Sequence, residues 1–298
     1  MTNILGKSEK RFQVIIHILL ILMAVAAIVP VWVLVAGSVT GEQELILDGY
    51  SLIPKTFSLD AYRYLVNKAS EILRAYGITV FITVVGTAIS LFITPLLAYP
   101  LSRKDFKARN LFSFLVFFTM LFNGGIVPSY IMWTRIFHLK NTITALILPG
   151  LLMNGFNVIL MKNYFAQNIP TELIEAAKMD GAGEFKIFFK MIMPLSLPIM
   201  ATVGLFVGIG YWNDWTNGLY YVTDTKLYSL QNLLNRILQD VQFLSSSTMV
   251  SAGATATQMP SVSIRMAISV VGILPIMILY PFFQKYFVKG IALGAVKG

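Results

Sequence analysis

The chain has 298 residues, of which 56% are hydrophobic and only 12% charged, with a mean hydropathy of +0.72. A soluble domain carries about 25% charged residues, so this composition leaves too little polar surface for water and points to the bilayer as solvent. The net charge of +9 does not imply nucleic acid, because the basic residues flank apolar segments, and the absence of cysteine excludes disulfides, thiolate metal sites and cysteine nucleophiles.

These features predict an all-α, polytopic membrane protein made of one transmembrane domain. A helix needs about 20 apolar residues to cross the hydrocarbon core. Six segments have that length: 14–36, 76–99, 111–133, 143–161, 195–217 and 266–288. The first is too long for the apolar region of a cleavable signal and is read as a retained span. Asn123-Gly124-Gly125 and Pro128 interrupt the third, and the fourth carries Pro149, Asn154 and Asn157. Placing the N-terminus inside puts the larger share of the 23 lysines and arginines on the cytoplasmic side, including the compact run Arg103, Lys104, Lys107 and Arg109. Short basic loops orient a chain this way, so both termini are expected in the cytoplasm. The loops 37–75 and 218–265 then lie outside. The second contains a Ser/Thr/Ala/Gly-rich stretch from Ser245 to Thr257, which reads either as a flexible connector or as a loop reaching toward a partner or substrate.

Several chemistries have no foothold in the sequence. There is no G-x-x-x-x-G-K-[ST] run to cradle a nucleotide, no H-E-x-x-H and no G-x-S-x-G. The expected spans hold almost no ionisable groups; Asp214 lies near the outer end of the fifth and His17 near the inner end of the first. A charge in the membrane normally marks a proton or ion route, so their scarcity argues against an ion-coupled carrier. Energy for uphill transport would have to come from another protein. An integral membrane enzyme of sugar metabolism would need paired carboxylates or a metal site near the surface, and none stands out.

The one long inside loop, 162–194, carries the strongest signal. Thr171 is placed to cap a helix, with Glu172 and Glu175 near its positive end. Leu173, Ile174, Ala176 and Ala177 favour helix, and Gly181 or Gly183 can stop it in a left-handed cap. A second amphipathic piece, 184–193, leads to Pro194 and the fifth span. From the residues alone this is either an interfacial connector or a helix whose small alanines let it sit in a groove on another protein.

The spacing of Glu175-Ala176-Ala177, Asp180-Gly181 and Met191-x-Met193-Pro194 resembles the EAA signature of bacterial ABC importer permeases, with methionines where Ile and Leu are usual. The six segments and the ending Gly290–Gly298 are similar to the maltose-type class of sugar permeases. Asn123-Gly124-Gly125-x-x-Pro128, Asn141-Thr142, Leu148-Pro149-Gly150 and Phe283-Gln284-Lys285-Tyr286-Phe287 resemble its polysaccharide/aldouronate-type branch. The resemblance implies the type I ABC importer permease fold in a bacterial plasma membrane. It implies that Glu172, Glu175, Ala176, Ala177, Asp180 and Gly181 form a helix docking on an ATPase subunit. It also implies that the tail, with Gly294, Val296, Lys297 and Gly298, reaches the ATPase dimer. The implied partners are two ATP-binding subunits that hold ATP and Mg, a second and different permease chain, and an extracellular solute-binding protein. No cofactor is expected in this chain, which would catalyse nothing itself. The implied cargo is an oligosaccharide or polysaccharide fragment, another solute being the alternative.

A sugar pathway calls for aromatic faces and amide hydrogen-bonders. The run Tyr211, Trp212, Asn213, Asp214, Trp215 and Asn217 supplies both, and on a continuous helix 211 and 215 share a face, as do 213 and 217. Tryptophan and tyrosine also mark lipid interfaces, so the run reads as an anchor belt or as a pathway wall, with the amides favouring the wall. Asn123, Tyr130, Asn154 and Asn157 are the further candidates. Asparagines there can equally bond neighbouring helices.

Overall fold

The computed structural model describes residues 7–250 and 261–295, with side chains described over 11–243, 262–278 and at 281. It is 78% helical and has no strand among the described residues. Contacts divide it into two compact units, one of Met1–Ala69 with Arg236–Pro275 and one of Ser70–Asn235 with Ile276–Gly298.

The first unit begins with α1 (Lys7–Ser38). None of its apolar window, within Arg11–Ser38, is buried inside the chain. A 28-residue helix this apolar and this exposed requires lipid or another subunit as its surroundings. Two short helices follow, α2 (Glu42–Leu47) and α3 (Asp60–Asn67). Two carboxylates organise this region. Glu42 accepts hydrogen bonds from the Val262 and Ser263 amides at 2.8 and 2.9 Å and so caps α15 (Ser261–Ala295). Glu44 accepts from the Thr56 hydroxyl at 2.6 Å and from the Thr56 and Lys55 amides. The Thr56 hydroxyl, helped by the Lys55 amide, holds the Glu44 carboxyl below its ordinary value.

The second unit contains most of α4 (Ala69–Ser102), which with α1 is long and apolar enough to cross a membrane. Next come α5 (Arg109–Leu121) and α6 (Ile126–Ile131), the latter extended by a π turn over Met132–Ile136. The two are bent by 111°. The bend forms at Gly125, whose φ of +84° suits only glycine, while its amide donates to Asn123 Oδ1 at 2.8 Å. The third expected segment is therefore a bent pair.

The fourth expected segment is not one helix. A single turn, α7 (Thr144–Ile147), gives way to the Pro149-Gly150 turn, and α8 (Gly155–Asn168) then runs past residue 161. Pro149 has no amide to continue α7, and Asn154 starts α8 afresh by accepting the Phe156 amide. The fifth is also divided. α9 (Thr171–Met179), α10 (Glu184–Ile187) and α11 (Met193–Leu195) precede α12 (Leu197–Asn213), which ends where Asp214 caps α13 (Thr216–Tyr221). The stretch expected as an outer connector is helical over α14 (Leu230–Val250). The remainder of its Ser/Thr-rich stretch, 251–257, lies outside the described residues.

Close approach of α4 and α12 forms the core of this unit. Gly86 lies against Tyr211 so tightly that a Cβ there would collide with the ring. Tyr211 is fully buried and its hydroxyl donates to the Ile147 carbonyl at 2.8 Å. Leu230 opens α14 by donating its amide to Thr79 Oγ1 at 2.7 Å. Asn141 holds a positive φ and accepts the Thr223 amide at 2.6 Å, which fastens the turn before α7 to the end of α13.

Candidate functional site

Within 162–194 the backbone makes a helix, a glycine turn and a second helix. Thr171 does not cap α9, contrary to expectation. Pro170 occupies the cap position in an extended conformation, and no side chain bonds the first amides, so Thr171 is the first helical residue. Glu172 in the first turn and Lys178 in the last both suit the helix dipole. Gly181, not Gly183, is the left-handed stop, with φ +76°. The Ala182 amide donates to Ala177 O at 2.9 Å and the Gly181 amide to Lys178 O at 3.0 Å, the paired bonds of a Schellman cap.

α9 is two-faced. Ile174 and Ala177 are buried, whereas Glu172, Glu175, Ala176, Met179 and Asp180 are exposed. The alanine pair is thereby split: Ala177 packs inward and Ala176 faces out. Met179 is 89% exposed, a large apolar side chain left uncovered among acids.

An ion cluster mounts this helix, and sequence reasoning did not find it. Arg103, in the turn between α4 and α5, donates to Glu184 Oε2 at 2.8 Å, to Tyr99 Oη at 3.0 Å and through two nitrogens to Asp105. Lys178 contacts Glu184 Oε1 at 2.9 Å and Asp105 Oδ2 at 3.4 Å. The end of α4, the last turn of α9 and the first of α10 are thus joined by four charged groups. The Arg103 side chain is only 12% exposed. Its fork on Asp105 holds that carboxyl down at about 2, and Glu184 raises Lys178. Below the cluster, Tyr99 packs on Phe188 and Phe165 with ring centroids 5.5 and 6.4 Å away. The available signal was opposite charge in two loops, but the partners stand 81 and 73 residues apart, beyond any local spacing rule.

The run at 211–217 differs from its expected geometry. Because α12 stops at Asn213, residues 211 and 215 do not share a helical face, nor do 213 and 217. Asp214 Oδ1 accepts the Thr216 and Asn217 amides at 3.1 and 3.3 Å and starts α13. Its other oxygen is buried and has no partner among the described residues. Asn217 is buried and donates to Pro149 O at 3.0 Å, so Tyr211 and Asn217 both brace the 147–150 turn. Trp212 is buried and tilts against Tyr76, while Asn213 and Trp215 are exposed. Tyr130 stacks on Tyr221 at 6.1 Å. Asn123 and Asn154 spend their side-chain oxygens on local amides, and Asn157 is buried. In the tail, Gly294 falls near the end of α15, and Val296, Lys297 and Gly298 lie outside the described residues.

Two spans with broken partners, and a charged loop clamped to the end of α4, match a known kind of membrane protein. Residues 86–293 match the family described as binding-protein-dependent transport system inner membrane component. The chain belongs to that family. It is a transport subunit of the membrane and not an enzyme, with the all-α fold of ABC permeases. Among similar proteins, LplC of Bacillus subtilis is 43% identical over 91% of this chain and 90% of its own length. The polygalacturonan/rhamnogalacturonan transport system permease protein YtcP of the same organism is 41% identical over 97% and 99%. A solved bacterial ABC transporter involved in the import of the acidic polysaccharide alginate contains a chain of TM-score 0.75 and 29% identity, covering 96% of this chain and all of that one. Permeases of this family work with ATPase subunits, a substrate-binding protein and a second permease.

Proposed function

We propose that the chain is one membrane half of an ATP-driven importer of oligosaccharides or polysaccharide fragments, and that α9 with the Gly181 turn is its coupling helix. The observation that carries the coupling role is the two-faced α9. Its inner face and Lys178 are fixed to the chain, and its outer face presents Glu172, Glu175, Ala176 and Asp180. A helix docked on an ATPase can push the membrane helices only if it is held firmly to them, and the Arg103 cluster supplies that hold. Full-length similarity to a permease named for polygalacturonan and rhamnogalacturonan supports the carbohydrate cargo. The chain crosses the bacterial plasma membrane six times with both termini inside. Two ATPase subunits bind ATP and Mg, a different permease chain supplies the other half of the pore, and a solute-binding protein delivers the sugar outside. The exposed Asn213 and Trp215 are the groups of the 211–217 run left to meet sugar. The tail reaches the ATPases.

The test is a reconstituted complex carrying Glu175→Lys or Gly181→Trp. Both variants are expected to lose sugar-stimulated ATP hydrolysis at least tenfold at normal permease levels. Gly181→Ala is the control for backbone strain, because space at Gly181 is open. Unchanged uptake and assembly with both variants would remove the coupling role. Orientation is read separately: the chain has no cysteine, so Gly183→Cys can be labelled with an impermeant maleimide, and reaction from outside intact cells would overturn the topology.

A further inference from the structure

A hollow of about 560 Å³ lies among the end of α4, the start of α5, α8 and α9. Five cations line it: Arg103, Lys104, Arg109, Lys162 and Lys178. Only two carboxylates, Asp105 and Glu175, face the same space. Arg103 and Lys178 are spent on Asp105 and Glu184, whereas Lys104, Arg109 and Lys162 make no ion pair among the described residues. Lys162 donates to the Ser113 hydroxyl at 3.0 Å. Two helix N-termini border the hollow as well, α5 at Arg109 and α9 at Thr171, and neither is capped by a side chain. Cations without ion-pair partners, gathered in one concavity beside two positive helix ends, attract an anion with several acceptor oxygens.

The position of the hollow narrows the choice of anion. Directly after Arg109 and Asn110, α5 exposes Leu111, Phe112 and Leu115, so a polar cradle adjoins an apolar surface. An amphipathic ligand fits both. We infer that the hollow binds the phosphate of an anionic phospholipid, whose acyl chains run along α5. Basic pockets at the cytoplasmic ends of membrane helices suit such headgroups. Thr171, Glu175 and Lys178 of α9 share the lining, so the headgroup touches the segment proposed above to couple with the ATPase. The lipid's leaflet rests on the orientation given there, and its binding does not.

The experiment uses the whole complex, purified in detergent and titrated with phosphatidylglycerol, with bound lipid counted by mass spectrometry. Detergent gives the lipid access to both ends, so a reversed topology cannot masquerade as lost binding. Lys104→Gln, Arg109→Gln and Lys162→Gln are each expected to weaken phosphatidylglycerol about fivefold, with larger losses when combined. Lys186→Gln, exposed on α10 outside the hollow, is expected to leave it unchanged. Phosphatidylcholine is expected to bind weakly and equally to all variants. Equal phosphatidylglycerol affinity in the triple variant and the Lys186→Gln control would overturn the site. Competition by soluble glycerol phosphate as strong as by the lipid would make it a free-phosphate site and also overturn it. So would a triple variant that sheds its ATPase subunits yet keeps full lipid affinity, since the cations would then serve the ATPase.

Discussion

The α9 loop and the run at 211–217 both set polar and aromatic residues beside apolar helices, and the structure uses them in opposite ways. At 211–217 most of the chemistry is turned inward. Tyr211 and Asn217 hold the Pro149 turn, and Asp214 caps a helix. In the loop the inward groups are the apolar Ile174 and Ala177, and the acids face out while a separate set of charges ties the helix down. Polar residues beside a membrane span can therefore be braces or handles, and their hydrogen bonds distinguish the two.

The largest effect should come from breaking a brace. Gly86→Ala forces a methyl into the Tyr211 ring. Overpacking of this kind costs about 3 kcal/mol, so thermal unfolding of the purified complex should drop sharply. Gly86→Ala combined with Tyr211→Leu should recover part of that loss by vacating the ring's space. If Gly86→Ala alone is as stable as the parent, Tyr211 is not the core residue described here.

Arg103→Ala comes next and attacks the mount of the handle. It removes hydrogen bonds to Asp105, Glu184 and Tyr99 at once. Its carboxylate partners are more than half exposed, so water screens much of the loss, and about 1–2 kcal/mol is expected. The informative readout is coupling. ATP hydrolysis should continue while uptake per ATP falls, because α9 is loosened without being altered on its outer face. A proportional fall in both would show that Arg103 only stabilises the fold.

The contrast also shows which features a sequence can display. A glycine stop to α9 was legible because glycine favours a left-handed turn, but the choice between Gly181 and Gly183 was not. The bend at Asn123-Gly124-Gly125 was legible for the same reason. The mount was not, since Arg103 and Glu184 meet only after α4, α8 and α9 have packed. Asp214 misled in another way. It read as one polar group in a helix continuous through 217, yet a carboxylate offers its own oxygen to the amides two and three residues on. Hydrophobic periodicity cannot register such a break when tryptophans flank it. Thr171 was misread because Pro170 pre-sets the entry and leaves no cap to fill.

Gly181→Ala tests the legible stop. The position is open, so the cost is that of a positive φ without glycine, about 1 kcal/mol. That should fray α9 slightly and lower ATPase stimulation less than the Gly181→Trp variant does. Equal losses in the two would assign the whole effect to the turn rather than to blocked docking.

The smallest structural effect belongs to Trp215, and it bears most directly on the pathway. Trp212 is a poor probe because it is buried, and its removal leaves a cavity whatever its role. Trp215 is 45% exposed at the break between α12 and α13, so Trp215→Ala should change stability by no more than about 0.5 kcal/mol. An aromatic face stacked on a sugar is worth about 1 kcal/mol, or roughly fivefold in apparent affinity. If Trp215 lines the path, Trp215→Ala should shift the sugar dependence of uptake by about that factor, and Trp215→Phe should restore most of it, because a ring is retained. If both variants transport normally, Trp215 is an anchor at the lipid interface, and the 211–217 run becomes a set of braces throughout, which would make the contrast with α9 complete.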